Sequence, residues 1–435
     1  MTTTILQGDS VTELQKLPAD SVHCVVTSVP YFQLRSYLPE GHPDKAKEIG
    51  LEKSPGLWLQ KLVLVFREVR RVLHPSGTLW LNCGDAYVGS GCGGDTGAST
   101  LQGTTDGQDK SKMAKREVGA GAGQRIGSGS SFRRDRAPRQ DTPHKSFLRL
   151  KAKNLMGMPW RLALAMQDDG WILRSEITWI KKSPMPESVL DRPTNATEKV
   201  FLMAKEGNYY YDSFAVREKQ TGNAHPRGDG ITPKTAPESD RLVKAKESFH
   251  SSTSHWAESP DGQRNMRNYW ILGTEPYPGE HYAVFPTGLP RRCILAGTSA
   301  KGVCPRCLAP WERLTEKPPL VHHSDYDGKY ADQDNRGKNL QRALKTARAI
   351  GGDHDNPFPN AITIGWQPTC ECANGLGPFQ PIPATVLDPF AGVCTTSVAA
   401  LELGRSSIAI ELSEQYCQEG RERLAGVTPG FPNFA

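Results

Sequence analysis

TVLDPFAGVCTT, residues 385–396, reads as a strand that runs directly into a turn of small residues. Thr385–Leu387 is the strand, and Asp388-Pro389-Phe390-Ala391-Gly392-Val393-Cys394 is the turn. Thr395 and Thr396 lead into a helix predicted over Ser397–Leu403 and closed by Gly404. A second strand, Ser407–Ile410, ends on Glu411, which lies 23 residues after Asp388. This is the layout of a nucleotide-type binding half. The small turn lets a ligand approach the backbone, and the distal carboxylate suits ribose hydroxyls. Neither G-x-G-x-x-G nor G-x-x-x-x-G-K-[ST] is present, which argues against a dinucleotide or a Walker-type phosphate site. An acid at the head of the turn repels pyrophosphate. It suits a cationic ligand with hydroxyls, and S-adenosylmethionine has both features.

The opposite end of the chain carries a second loop of this kind. Val22–Ser28 is a β-branched run of buried-strand type, and Thr27-Ser28-Val29-Pro30-Tyr31 follows at its carboxyl end. Ser54 and Pro55 then open a helix as N-cap and first helical residue. Its apolar stripe is Trp58, Leu62, Val65, Phe66, Val69 and Leu73, and His74-Pro75-Ser76-Gly77 is expected to stop it. Thr78–Cys83 is the next strand. Strand, helix, strand in this order predicts a parallel sheet. Further on, Pro159–Gly170 reads as a helix, Trp171–Lys181 as a strand, and Val200–Ala204 with Tyr209–Tyr211 as a strand pair. The segment after Pro286 reads as helical.

The chain has 435 residues, 37% apolar and 23% charged, with a net charge of +6. No run approaches the ~18–20 apolar residues of a membrane span. Met1–Asp9 lacks the features of a signal peptide, so a cytoplasmic location and no membrane partner are expected. Residues 89–131 contain 12 glycines and four large aliphatics, too little apolar surface to offset their ordering entropy, and they read as a mobile insertion. Phe132–Lys153 then holds eight Arg or Lys, among them Arg133, Arg134, Arg136 and Arg139, against Asp135 and Asp141. Such a stripe is a candidate contact for a phosphate backbone, and otherwise a solvated basic loop.

Taken together, the two loops and the segments between them resemble the permuted, β-type DNA amino-methyltransferases, which methylate N4 of cytosine or N6 of adenine. The matching segments are Gly8-Asp9, TSVPYFQLRSY (27–37), IGLE (49–52), FREVRRVLHPSGTLWLNCGDAY (66–87), MPWRLALAMQDDGW (158–171), ITWIKKSPMPESVLDRPTNATEKVFLMAK (177–205), HYAVFP (281–286), DPFAGVCTT (388–396) and IAIEL (408–412). The resemblance implies a Rossmann-like mixed α/β sheet with inserted target-recognition and cysteine-containing segments. It implies a target-base half in residues 1–87, the Gly-rich and basic insertion in 88–146, and more catalytic domain in 147–216. A target-recognition region at 217–280 follows, then a cofactor-lining segment at 281–300, a cysteine insertion at 301–380 and the S-adenosylmethionine-binding half at 381–435.

In such a protein Ser28 and the carbonyl of Val29 accept the two hydrogens of the target amine, and Tyr31, after Pro30, stacks on the extruded base. Asp9 receives the cofactor adenine, Phe390 packs on it, and Glu411 takes the ribose. Phe285 and Pro286 line the methionine end. Asp388 and Gly392 shape the loop, and Thr395 and Thr396 open the following helix. The expected partner is duplex DNA, with a cognate restriction endonuclease and a homodimer as further expectations. Carbon-5 cytosine chemistry is not expected, because no cysteine here follows a proline. Ser28 favours N4 of cytosine, with N6 of adenine as the alternative. RNA as substrate is a weaker reading.

Two positions depart from the family pattern. Val29 stands where the family has proline, which leaves φ unrestrained, and Cys394 stands where it has glycine. If residue 394 needs φ > 0, a side chain there costs ~1 kcal/mol. These departures are the grounds for an alternative of another class, a non-catalytic DNA-binding protein that keeps the fold. Finally, Cys304-Pro305-Arg306-Cys307 and Cys370-Glu371-Cys372 are candidate structural zinc ligands, the alternatives being unliganded thiols or a site using His322 or His323.

Overall fold

The computed structural model describes residues 1–88, 150–151, 153–219, 263–275, 285–316, 362–372 and 379–430. The Gly-rich insertion, the four arginines of the basic stripe, most of 217–280, His322 and His323 lie outside the described residues. The chain begins with β1 (Thr3–Gln7), α1 (Ser10–Gln15), β2 (Val22–Ser28), α2 (Pro55–Val72) and β3 (Leu73–Cys83). After the insertion come α3 (Met158–Asp168), β4 (Ile172–Lys181) and β5 (Thr197–Ala204). Short strands β6 (Glu218–Lys219) and β7 (Gln263–Arg264) pair with each other and lead to β8 (Tyr269–Leu272) and α4 (Gly288–Gly297). A hairpin, β9 (Trp311–Glu316) and β10 (Ile362–Pro368), precedes β11 (Thr385–Asp388), α5 (Thr395–Glu402), β12 (Ser406–Glu411) and α6 (Glu414–Ala425).

Eight strands form one sheet in the order β1-β12-β11-β2-β3-β5-β4-β8. All of them run the same way except β5, which is antiparallel to both neighbours. The first and last parts of the chain therefore share one sheet, joined where β1 pairs with β12 and where Val386 and Leu387 pair with Cys24 and Val25.

Alternation along the strands builds a core on each face. Val25, Leu79, Leu81, Phe201, Met203 and Leu387 point to one side, where α2 and α3 cover them with Trp58, Leu62, Phe66, Val69, Met158 and Leu162. Cys24, Val26, Trp80, Val200, Leu202 and Val386 point to the other, against Leu289, Cys293 and Ile294 of α4 and Ala399 and Ala400 of α5. Trp58, Phe66 and Leu62 are fully buried, and each contributes about 1.5–3 kcal/mol of transfer free energy. The start of α2 is capped as its sequence predicts, with Ser54 Oγ accepting from the Leu57 N–H at 3.3 Å and Pro55 first in the helix.

Two expectations are corrected. His74-Pro75-Ser76-Gly77 does not separate helix from strand, because β3 begins at Leu73, directly after α2. The four residues are taken up as an irregularity, with Val22 opposite Leu73 but Cys24 opposite Thr78. His74 Nδ1 accepts from the Ser76 N–H at 3.2 Å and holds the excursion. Tyr209–Tyr211 is not a strand. Its Tyr210 N–H donates to the Ser76 carbonyl at 2.8 Å, and just beyond it the Asp212 N–H donates to the Ala296 carbonyl at 2.8 Å.

Candidate active site

The crossover from β2 through α2 leads to β3 on one side, and that from β11 through α5 leads to β12 on the other. The loops leaving β2 and β11 thus diverge at the carboxyl edge of the sheet, where open α/β sheets bind ligands. A cavity of about 840 Å³ opens there. Its wall includes Asp9, Ser28, Val29, Pro30, Tyr31, Phe285, Phe390, Gly392, Thr395 and Glu411, residues drawn from both ends and the middle of the chain. Pro286 is buried outside that wall.

Asp388 and Thr396 also lie behind the wall. Asp388 is 1% exposed, and its Oδ1 accepts from Thr27 Oγ1 at 2.7 Å and from the Phe390 N–H at 3.1 Å. Its Oδ2 lies 2.8 Å from Thr396 Oγ1. Burial pushes this carboxyl up to about 6, with the two threonines and the amide pulling the other way. Asp388 therefore ties β2, β11 and α5 together beneath the turn. Glu411 faces the cavity. Oε2 accepts from the Gly392 N–H at 2.8 Å and Oε1 from the Ser413 N–H at 2.8 Å, and burial pushes the carboxyl up to about 7. Asp9 caps α1, with Oδ2 accepting from the Thr12 N–H at 3.0 Å. Phe390 stands edge-on to Phe66, ring centres 6.5 Å apart.

The β2 loop is pinned on both sides of Val29. The Val29 N–H donates to the Asn82 carbonyl at 3.3 Å, a bond that proline could not make. Trp58 Nε1 donates to the Pro30 carbonyl at 2.9 Å. Ser28 Oγ lies 3.5 Å from the Tyr31 hydroxyl, which reaches Glu198 Oε2 at 2.6 Å and Asn82 Oδ1 at 3.1 Å. Lys181 pairs with Glu198 at 2.6 Å. The Tyr31 ring fills the space beside Gly84, where a Cβ would stand 2.5 Å from Cε2. Desolvation and the Glu198 carboxylate hold the phenol protonated, with its pKa well above the ordinary tyrosine range.

Asn82, Glu198, Lys181, Trp58 and Gly84 are the residues sequence reasoning missed. Asn82 and Gly84 lie together at the end of β3, and the others come from α2, β4 and β5, so only the fold brings the set together. One signal was available for Glu198. It sits at the start of β5, and an antiparallel strand presents its amino end to the carboxyl edge of its neighbours.

Cys394 does adopt the left-handed region, φ 61°, just before α5. Its side chain is accommodated by Gly420 of α6, where a Cβ would meet Sγ at 2.6 Å. The cysteine is fully buried, and desolvation raises its thiol to about 12, so it is a packing group and not a nucleophile.

A family model for DNA methylases of the N6/N4 type matches residues 22–304 and 381–422. The chain belongs to this family. Among curated relatives, the type II methyltransferase M.Cfr9I of Citrobacter freundii is 37% identical over 295 residues, covering 68% of this chain and 72% of its own length. M.SmaI of Serratia marcescens is 36% identical over 298 residues, covering 68% and 76%. Among solved structures, the cytosine-N4-specific PvuII DNA methyltransferase superposes with a TM-score of 0.46 at 13% identity, over 97% of this chain and 87% of that one. As a member of the N6/N4 family, the protein is a DNA methyltransferase that uses S-adenosylmethionine. The cavity fits that cofactor. The loop Asp388–Thr396 carries no basic residue for a phosphate, whereas Glu411 offers lone pairs beyond those taken by Gly392 and Ser413. Among the described residues no helix is long and apolar enough to cross a membrane.

Proposed function

We propose that this methyltransferase acts on N4 of a cytosine extruded from duplex DNA, with N6 of adenine as the alternative target. The observation that supports it is the sharing of one cavity by Ser28-Val29-Pro30-Tyr31 and by the Phe390–Val393 turn with Glu411. S-adenosylmethionine, when bound, supplies an electrophilic methyl group. Glu411 is the acceptor for the ribose hydroxyls, Asp9 for the adenine amine, and Phe390 the apolar surface beneath the ring. Phe285 lines the far end of this pocket.

An exocyclic amine is a poor nucleophile because its lone pair is delocalised into the ring. Ser28 Oγ and the Val29 carbonyl hold its two hydrogens, which favours an sp3-like nitrogen with its lone pair turned toward the methyl carbon. Tyr31, fixed by Gly84 and by its bond to Glu198, presents a ring face to the base. Asn82 and Lys181 hold Glu198 in turn. Ser28 supports the cytosine reading because the family more often pairs serine at this position with cytosine targets, and an acid or amide, which reach further, with adenine.

The non-catalytic alternative rested on Val29 and Cys394. The Val29 N–H adds an anchor that proline lacks, and Cys394 has a fitted space under α6, so neither position favours an inactive protein. The type II designation of M.Cfr9I and M.SmaI supports a cognate restriction endonuclease as partner. Mass spectrometry of nucleosides from duplex DNA incubated with the purified protein and cofactor tests the target. N4-methylcytosine is expected. N6-methyladenine alone overturns the base assignment and leaves amino methylation standing.

A further inference from the structure

We propose that Cys304, Cys307, Cys370 and Cys372 bind one zinc ion, a structural site that closes the inserted hairpin and fastens it to the amino-terminal edge of the central sheet. The four sulfur atoms lie within 4.8 Å of one another, although 62 residues separate Cys307 from Cys370. Four thiolates around zinc at ~2.3 Å stand roughly 3.8 Å apart, so a small inward movement completes a tetrahedron.

The backbone around Cys304 is shaped for a bound sulfur. The Arg306 N–H points at Cys304 Sγ at 3.4 Å, and the turn is closed by Leu308 N–H to the Cys304 carbonyl at 3.0 Å and Cys304 N–H to the Ala309 carbonyl at 2.9 Å. Leu308 is held at φ 62°, a conformation that a branched side chain adopts only when its surroundings impose it. The second cysteine pair is brought to the same place by the hairpin. Trp311 pairs with Pro368, Thr369 Oγ1 donates to the Pro310 carbonyl at 2.7 Å, and Arg306 Nη1 donates to the Cys372 carbonyl at 2.7 Å.

The cluster sits away from the chemistry. His23, near the start of β2, accepts the Thr385 N–H on Nδ1 at 3.0 Å, so its Nε2 carries the proton and donates to the Leu308 carbonyl at 3.1 Å. Val303 and Ile382 exchange backbone hydrogen bonds of 2.8 and 3.0 Å beside it. These contacts are at the amino ends of β2 and β11, the edge opposite the cavity. The seven residues of β2 put ~20 Å between the two edges. A two-stranded hairpin is marginal by itself, and Arg313 ties this one to the core through Asp212 at 2.9 Å. Four soft thiolate ligands make a closed site without a position for substrate, which assigns the ion to holding structure.

The test is metal analysis of the full-length protein purified without chelator. About one zinc per chain is expected, falling to near zero in Cys307→Ser, whose partly solvent-facing side chain makes it the gentlest of the four changes. Cobalt(II) in place of zinc should give the intense visible bands of a tetrahedral thiolate site, read on the unmodified sequence even if the variant fails to fold. A chelator should release the metal, expose four alkylatable thiols and lower the melting temperature. Metal-free protein with an unchanged melting temperature overturns the proposal, as do disulfides among these cysteines found by mass spectrometry.

Discussion

Glu411 carries the most specific electrostatic prediction. Its carboxyl is pushed to about 7 and that of Asp388 to about 6, both by burial. In the unfolded chain such groups titrate near 4. Between roughly pH 4 and 7 the unfolded state has therefore released protons that the folded state keeps. Their ionisation works against the fold, so this contribution declines as pH rises through that window. If the ribose hydroxyls donate to Glu411 as proposed, they favour its charged form. Cofactor affinity should thus rise with pH to about 7 and level off, with proton release on binding near pH 6.5, visible as a calorimetric heat that depends on the buffer. Glu411→Gln should lose that dependence and bind about 10–100-fold more weakly, the range for a hydrogen bond to a charged group. An affinity flat in pH for the unsubstituted protein contradicts the assignment. Glu411 was legible in the sequence because it ends a strand at a telling distance from Asp388. Asp388 was legible as a loop-shaping acid, but its isolation from the cavity was not, since that depends on Thr27 and Thr396 converging from other elements.

At the level of elements, the turn before α5 meets α6 where Cys394 packs on Gly420, and also where Arg423 Nη1 donates to the Val393 carbonyl at 3.2 Å and to Thr395 Oγ1 at 2.7 Å. Gly420→Ala places a methyl 2.6 Å from Cys394 Sγ, and overpacking of this kind costs about 1–3 kcal/mol, more than the gain in helix propensity. Cys394→Gly removes the obstruction and the strain of φ 61° but leaves a void. In the double variant the alanine should become stabilising by about 0.5–1 kcal/mol relative to Cys394→Gly alone. Denaturant unfolding of the four proteins measures this coupling, and additive effects would show that the two positions do not touch. Most elements were readable from local pattern. The α2 stripe, its Ser-Pro start and the strands on either side needed only periodicity and capping chemistry. β3 was misread at its start because His-Pro-Ser-Gly is ordinary turn chemistry, and only pairing with β2 absorbs it as an irregularity. Tyr209–Tyr211 has the composition of a strand, but its Tyr210 N–H bonds to the Ser76 carbonyl and not to a neighbouring strand.

For the whole molecule, what sequence left hidden is how segments far apart in the chain complete one cavity. Glu198, Asn82 and Lys181 belong to three strands whose adjacency follows from the sheet order, not from any local motif. The basic stripe with Arg133, Arg134, Arg136 and Arg139 lies outside the described residues and remains a proposal from charge alone. If it neutralises phosphates, replacing the four arginines by glutamine should weaken binding to all duplexes alike. It should also reduce the slope of log affinity against log salt by up to about 3–4. An unaltered slope would place the DNA elsewhere.

In the proposed reaction, the cavity between the loops leaving β2 and β11 joins the cofactor to a target amine held by Ser28. Transfer of labelled methyl from S-adenosylmethionine to duplex DNA, measured beside cofactor affinity for the unsubstituted protein and Ser28→Ala, tests it most directly. The unsubstituted protein should label an exocyclic amine. Ser28→Ala should turn over about 10–100-fold more slowly, the loss of one hydrogen bond to an amine that gains positive charge as it takes the methyl, with cofactor affinity nearly unchanged. Label found on carbon 5 of cytosine, or full turnover in Ser28→Ala, would contradict the account.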